Sequence, residues 1–206
     1  CTVGSLKADS IYSLRIRAFK DTDDGTVYSD YTRLAVKTKL AGVTGLKAQG
    51  VTATAVKLDW ARNAGATGYI IEQYKGGKWT QIAVTKNNYT LTFTVKGLAE
   101  CTPYSFRVKA YKNDGGKTNY SDYVTVKAST LLGTAKNARV TSTTGTWITL
   151  GWDRNAGATG YVLEQYKGGR WTEIAVTKNN TTLKFTVKGL RNDTTYSFRI
   201  KAYKTV

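Results

Sequence analysis

The feature that most limits what this chain can fold into is a thirteen-residue stretch that occurs twice. Gly68-Tyr69-Ile70-Ile71-Glu72-Gln73-Tyr74-Lys75-Gly76-Gly77-Lys78-Trp79-Thr80 returns 92 residues later as Gly160-Tyr161-Val162-Leu163-Glu164-Gln165-Tyr166-Lys167-Gly168-Gly169-Arg170-Trp171-Thr172. The same offset carries Trp60 onto Trp152, Tyr12 onto Tyr104, Tyr104 onto Tyr196, and Tyr28-Ser29-Asp30-Tyr31 onto Tyr120-Ser121-Asp122-Tyr123. From Trp60 to Leu98, roughly four positions in five are identical in the second copy. A fixed period marks a repeat architecture in which each period is one structural unit, and about 92 residues is a normal size for one domain. The chain is therefore divided into the C-terminal part of one unit (residues 1–39), a complete unit (40–131) and a unit lacking its last strand (132–206).

Inside the complete unit the apolar period is two. Val56, Leu58 and Trp60 alternate with Ala55, Lys57 and Asp59, the signature of a strand with one buried face. Tyr69 to Tyr74 and Trp79 to Val84 are strands joined by a Gly76-Gly77 hairpin. Leu91, Phe93 and Val95 give another strand, then Tyr104, Phe106, Val108 and Ala110, and last Tyr123 to Ala128. With a short strand near Leu46 to Ala48, that makes seven strands separated by turn-forming clusters, and no helical periodicity intervenes. The expected fold is an all-β sandwich.

Composition limits the chemistry. The chain has no His, so neither a Ser-His-Asp nor a Cys-His arrangement can be assembled. Glu72 and Glu164 are equivalent positions of separate units, which does not suit an acid-base pair. We expect no catalytic residue, no cofactor and no metal site. Asp21-Thr22-Asp23-Asp24-Gly25 superficially suggests a calcium loop, yet the sister loop Asn113-Asp114-Gly115-Gly116 lacks the carboxylates. The two cysteines occupy non-equivalent positions, Cys1 where the other copies carry Phe93 and Phe185, and Cys101 where they carry Asp9 and Asp193. No repeated disulfide follows, and free thiols are expected.

The formal charge of +17 favours anionic partners. The basic residues alternate along strands rather than cluster, so a solvated face that resists edge-to-edge aggregation is the preferred reading of this charge. Specific nucleic-acid binding is not expected, because no groove-entering helix or clustered stacking platform is evident. No apolar run is long enough to suggest membrane insertion.

Trp60 on the second strand, Ala66-Thr67-Gly68-Tyr69 before the third, and Gly97-Leu98 with Tyr104 six residues after the leucine resemble fibronectin type III repeats. That resemblance covers essentially the whole chain and is similar to tandem repeats of bacterial secreted and surface proteins. It implies tandem seven-stranded immunoglobulin-like sandwiches arranged as a rod. It also implies structural roles for Trp60 and Trp152, and for Tyr12, Tyr104 and Tyr196 as tyrosine corners, whose hydroxyl bonds back to nearby backbone. Cys101 departs from the family, which usually has Gly there, and only the local turn geometry is at stake.

The remaining aromatics carry the binding hypotheses. Trp79 and Trp171 flank the Gly-Gly hairpins with Tyr74 and Tyr166 across them. Such a pair either stacks on a sugar ring or a neighbouring protein, or stabilises its own hairpin by roughly 0.2–1 kcal/mol. Trp147 lies on the outward phase where the second unit has Ala55, so an exposed local contact is expected there. Asn88-Tyr89-Thr90, Asn119-Tyr120-Ser121, Asn179-Asn180-Thr181-Thr182 and Asn192-Asp193-Thr194 match the N-glycosylation pattern.

The function expected is that of a non-enzymatic, secreted or cell-surface structural repeat, a spacer and multivalent scaffold in a fibre or stalk. Copies of itself or neighbouring repeats are its expected partners. Two alternatives stand beside it: a module binding glycans or anionic cell-wall polymer, and a spacer within a larger secreted carbohydrate-active enzyme. The incomplete end units are consistent with a window on a longer array, or with strands donated by an adjacent chain.

Overall fold

The computed structural model describes residues 1–205, and among them there is no helix. Eighteen strands follow in order. The first 39 residues give β1 (Ile11–Ile16), β2 (Phe19–Thr22), β3 (Gly25–Tyr28) and β4 (Thr32–Lys37). Next come β5 (Lys47–Gln49), β6 (Ala55–Asp59), β7 (Gly68–Lys75), β8 (Lys78–Val84), β9 (Thr92–Lys96), β10 (Pro103–Asp114), β11 (Lys117–Tyr120) and β12 (Val124–Ser129). The last are β13 (Arg139–Thr143), β14 (Trp147–Gly151), β15 (Gly160–Lys167), β16 (Arg170–Thr177), β17 (Lys184–Lys188) and β18 (Phe198–Tyr203). Two compact units result. One comprises Cys1–Ala48, Leu58–Phe93 and Ser105–Lys127; the other comprises Gln49–Lys57, Thr94–Tyr104 and the chain from Ala128 onward.

In the first unit, the principal sheet runs β11-β10-β7-β8, with β12 also on β10, while β1 pairs β4 and β2 pairs β3. All these pairings for which register is defined are antiparallel. Leu58, Trp60, Tyr69, Ile71, Phe106, Val108 and Ala110 are buried, every second residue of their strands. In the second unit, β13-β14-β17 and β16-β15-β18 enclose Leu150, Trp152, Tyr161, Leu163 and Val187, against which Ile148, Phe185, Phe198 and Ile200 pack. A further sheet runs β5-β6-β9.

The strand expected at Tyr123 to Ala128 is β12 (Val124–Ser129), and the structure adds β11 (Lys117–Tyr120) before it, where no strand was expected. Ser121 separates β11 from β12. Its backbone N–H donates to the Ala110 carbonyl at 3.0 Å, but its Oγ accepts the Ala110 N–H at 2.9 Å and replaces a ladder carbonyl. Ser29 does the same to Ala18.

The tyrosine hydroxyls of Tyr12, Tyr104 and Tyr196 accept the backbone N–H of Lys7, Ala99 and Arg191 at 2.7, 2.8 and 2.9 Å. In each corner a side-chain-bearing residue adopts the left-handed region: Asp9 at φ 51°, Cys101 at φ 46° and Asp193 at φ 50°. The cysteine thus leaves the turn unchanged, although a β-carbon is disfavoured at such φ. Gly68 and Gly160 are required for a different reason. A β-carbon on them would lie 2.1 and 2.0 Å from the carbonyl oxygens of Thr85 and Thr177.

Candidate functional site

The chemistry-bearing side chains meet on the outer face of the β7–β8–β10 sheet, and the hairpin sets their positions. Gly76 and Gly77 both have left-handed φ, 60° and 78°, the requirement of a tight two-residue β-hairpin turn. That turn places Tyr74 directly opposite Trp79, with ring centroids 5.4 Å apart at 63°. Gly168 and Gly169 repeat it, placing Tyr166 and Trp171 5.4 Å apart at 60°. Tyr74 and Tyr166 are exposed, whereas Trp79 and Trp171 are half-buried.

What covers the tryptophans is a cation from the strand on the far side of the hairpin's first strand, β10 across β7 and β18 across β15. The Arg107 guanidinium stands 4.4 Å from the Trp79 ring and 3.8 Å from the Tyr123 ring. Lys109, two residues on, lies 4.6 Å from Tyr123 and 4.2 Å from Tyr120. Rings and cations therefore alternate in a ladder: Trp79, Arg107, Tyr123, Lys109, Tyr120. Exposed cation–π pairs contribute about 0.5–1 kcal/mol each. Residues 1–39 build the same order from equivalent positions. Arg15 is 4.1 Å from Tyr31, and Arg17 is 4.9 Å from Tyr31 and 3.5 Å from Tyr28. In the later copy Arg199 is 4.5 Å from Trp171.

Glu72 is opposite Arg107 in register and accepts from its Nε at 2.6 Å, while the Tyr123 hydroxyl donates to the other carboxylate oxygen at 2.5 Å. Burial pushes the Glu72 carboxyl upward. The hydrogen bonds from Tyr123 and Arg107, with the charges of Arg107 and Lys109, outweigh it and hold the group below the usual range. Glu164 is likewise lowered, mainly by its hydrogen bond from Arg199, against burial and with help from the charges of Arg199 and Lys201. Asp9 is lowered by hydrogen bonds from Lys112 and Lys37.

Several singled-out residues have other positions. Trp60 and Trp152 are only 4% and 2% exposed, edge-on to Tyr69 and Tyr161 at 5.4 and 5.3 Å. Trp147, expected to be exposed, is half-buried beside Lys188. Its strand is the middle one of β13-β14-β17, so neighbours on both sides screen even an outward side chain. Asn88 and Asn180 use their amide nitrogens inside the turn, donating to Asn63 and Ala64 and to Asn155 and Ala156. Asp21 accepts from Thr26. Cys1 and Cys101 are free thiols.

Sequence reasoning missed Arg107, Lys109, Tyr120 and Tyr123, and their counterparts Arg15, Arg17, Tyr28 and Tyr31. Their signal was present: two cations spaced by two, followed by two tyrosines spaced by three, recurring at the 92-residue offset.

Comparison with known proteins agrees with this architecture. The fibronectin type III domain profile matches residues 41–127 and 133–206. Chitinase A1 of Niallia circulans is 35% identical over a region covering 76% of this chain and 22% of that protein. Exoglucanase B of Cellulomonas fimi is 32% identical, covering 87% of this chain and 16% of its own length. The chain thus spans less than a quarter of the length of these relatives. A two-domain fibronectin type III segment from chicken tenascin superposes with a TM-score of 0.57 at 20% identity, over 80% of this chain and 93% of that one, a likeness of fold. With matches to two consecutive segments and three tyrosine corners in place, the chain belongs to the fibronectin type III family.

Proposed function

We propose that the chain is a non-catalytic spacer and scaffold within a larger secreted bacterial protein, one that acts on or attaches to polysaccharide. The observation that carries this is the internal use of the same reactive groups in both copies. Glu72 and Glu164 are held by Arg107 and Arg199, which in turn lie over Trp79 and Trp171. A carboxylate held ionised by a guanidinium is poorly suited to deliver a proton, and an indole under a guanidinium is a poor platform for a neutral sugar. The likeness to portions of a chitinase and of exoglucanase B supports the setting: a module beside other domains, outside the cell.

The test is co-sedimentation of the purified chain with chitin and with microcrystalline cellulose. The spacer reading expects the protein to stay in the supernatant with both. Retention on either solid that disappears in Trp79→Ala and Trp171→Ala variants would replace it with a glycan-binding module working through the hairpin tryptophans.

A further inference from the structure

We infer that the ring–cation ladder on the outer face of the β10 sheet is a binding surface for a linear polysaccharide bearing carboxylates, a uronic-acid polymer. The inference rests on the extracellular setting proposed above but not on the spacer role.

The ladder's two ends differ in what they leave available. At the Trp79 end Arg107 is neutralised by Glu72. At the other end Lys109 forms no ion pair among the described residues, and neither do Arg15 and Arg17 in the first copy. A cation resting on an aromatic face keeps its outward N–H donors, and among the described residues nothing anionic occupies them. Its neighbouring rings stay open to solvent: Tyr120 is 47% exposed and Tyr28 is 52% exposed. Beside Tyr120 the sheet forms a shallow open cleft of about 240 Å³ lined by Ile70, Val84, Tyr111, Asn113, Thr118 and Tyr120. Thr118 donates to the Asn113 side-chain oxygen at 3.0 Å, which fixes that amide at the cleft's rim.

These parts match one ligand chemistry. The C–H face of a sugar stacks on the Tyr120 ring, its hydroxyls reach the fixed Asn113 amide, and its carboxylate pairs with the Lys109 ammonium on the adjacent strand, 4.2 Å from that ring. The ring and cation recur in residues 1–39, with Phe19 for Tyr111, Tyr28 for Tyr120 and Arg17 for Lys109. Asp21 stands in place of Asn113 and accepts from Thr26 at 2.8 Å, so that copy offers the stacking ring and the cation without the neutral amide. A repeated weak site suits a repeated polymer, since each added contact raises avidity. The net charge of +17 adds attraction for any polyanion, so the experiment must separate the ladder from that field.

Titration calorimetry of the purified chain with polygalacturonate, with neutral dextran as control, makes that separation. Polygalacturonate should bind and dextran should not. Tyr120→Ala and Lys109→Gln should each weaken binding about tenfold. Tyr120→Phe, which keeps the ring, should bind as the parent does. Lys96→Gln, an equal loss of charge at an exposed position of β9 in the separate β5-β6-β9 sheet, should change affinity less than about twofold. The double variant Tyr28→Ala with Tyr120→Ala should lose binding altogether. Amide exchange at Tyr69 and Val108 verifies that each variant keeps its core.

Three results would overturn the inference. Absent polygalacturonate binding is the first, and it leaves the spacer reading untouched. The second is equal weakening by Lys96→Gln and Lys109→Gln, or none by Tyr120→Ala, which would mean diffuse charge alone. The third is equally tight binding of oligothymidylate that the same variants abolish, which would reassign the ladder to single-stranded nucleic acid.

Discussion

Glu72 and Glu164 hold the same position in two copies of one sequence, and their arginines bond them alike, Nε to Oε2 at 2.6 Å in both. Around that shared bond the copies diverge. The Arg107 side chain is 24% exposed and roofed by Tyr123, whose hydroxyl also bonds Glu72. Arg199 is 49% exposed, and among the described residues the second oxygen of Glu164 has only the Lys201 ammonium, at 3.9 Å. The local motif is a property of the hairpin and the strand beside it. Its protection comes from a residue 51 positions further along the chain. An ion pair therefore takes its strength from what covers it, not from its own geometry.

The first way to challenge the comparison is to alter something the copies share completely. Gly68 and Gly160 each lie against a threonine carbonyl, and the Tyr111 and Tyr203 hydroxyls donate to those same oxygens at 2.9 and 3.0 Å. Alanine in either place must displace backbone, at a cost of about 3 kcal/mol or more. Gly68→Ala and Gly160→Ala should therefore accelerate amide exchange at Tyr69 and Tyr161 to the same degree, each in its own copy. Unequal losses would mean that the shared β7 and β15 frames differ already, and that Tyr123 is not what separates them.

Substituting the carboxylates should expose the difference. Glu72→Gln leaves a largely covered guanidinium without its counter-charge and replaces one of two acceptor oxygens with an amide NH2, so Arg107 and Tyr123 can no longer both donate to oxygen there. A loss of about 2 kcal/mol follows from the usual worth of hydrogen bonds to charged groups. Glu164→Gln uncovers an arginine that water already reaches, and its effect should be clearly smaller. Tyr123→Phe sharpens the point: in that background Glu72→Gln should shrink toward the Glu164→Gln value. Urea midpoints for these variants and the parent measure this. An unchanged Glu72→Gln effect once Tyr123→Phe is in place would remove the roof from the explanation.

What could be read from the chain follows the same division. Alternation of Val56, Leu58 and Trp60, the Gly-Gly hairpins and the tyrosine corners are local patterns, and sequence alone locates them. The ladder is not local. It joins β8, β10, β11 and the segment before β12, and only the pairing of those strands brings Trp79, Arg107 and Tyr120 to one face. Trp147 shows the converse: its outward phase is legible, but its half-burial depends on β13 and β17 flanking β14. The additional strand β11 ends before Ser121, through a side-chain bond that no periodicity announces.

The smallest expected effect is in acid. Folding lowers the Glu72 carboxyl below its ordinary value of 4.5, so the unfolded chain takes up that proton first. The stability this carboxylate contributes is complete above pH 4.5 and is lost as pH falls through the depressed folded value. Glu164 is lowered from the same 4.5, so its contribution fades in the same direction. Carboxyl titration by NMR should show both groups below 4.5. The stability gap between the parent and Glu72→Gln should be constant near neutrality and close as the solution is acidified. The corresponding gap for Glu164→Gln should start smaller and close as well. Parallel curves that keep their separation in acid would mean that Glu72 contributes through packing, and the charge-based contrast between the two copies would fail.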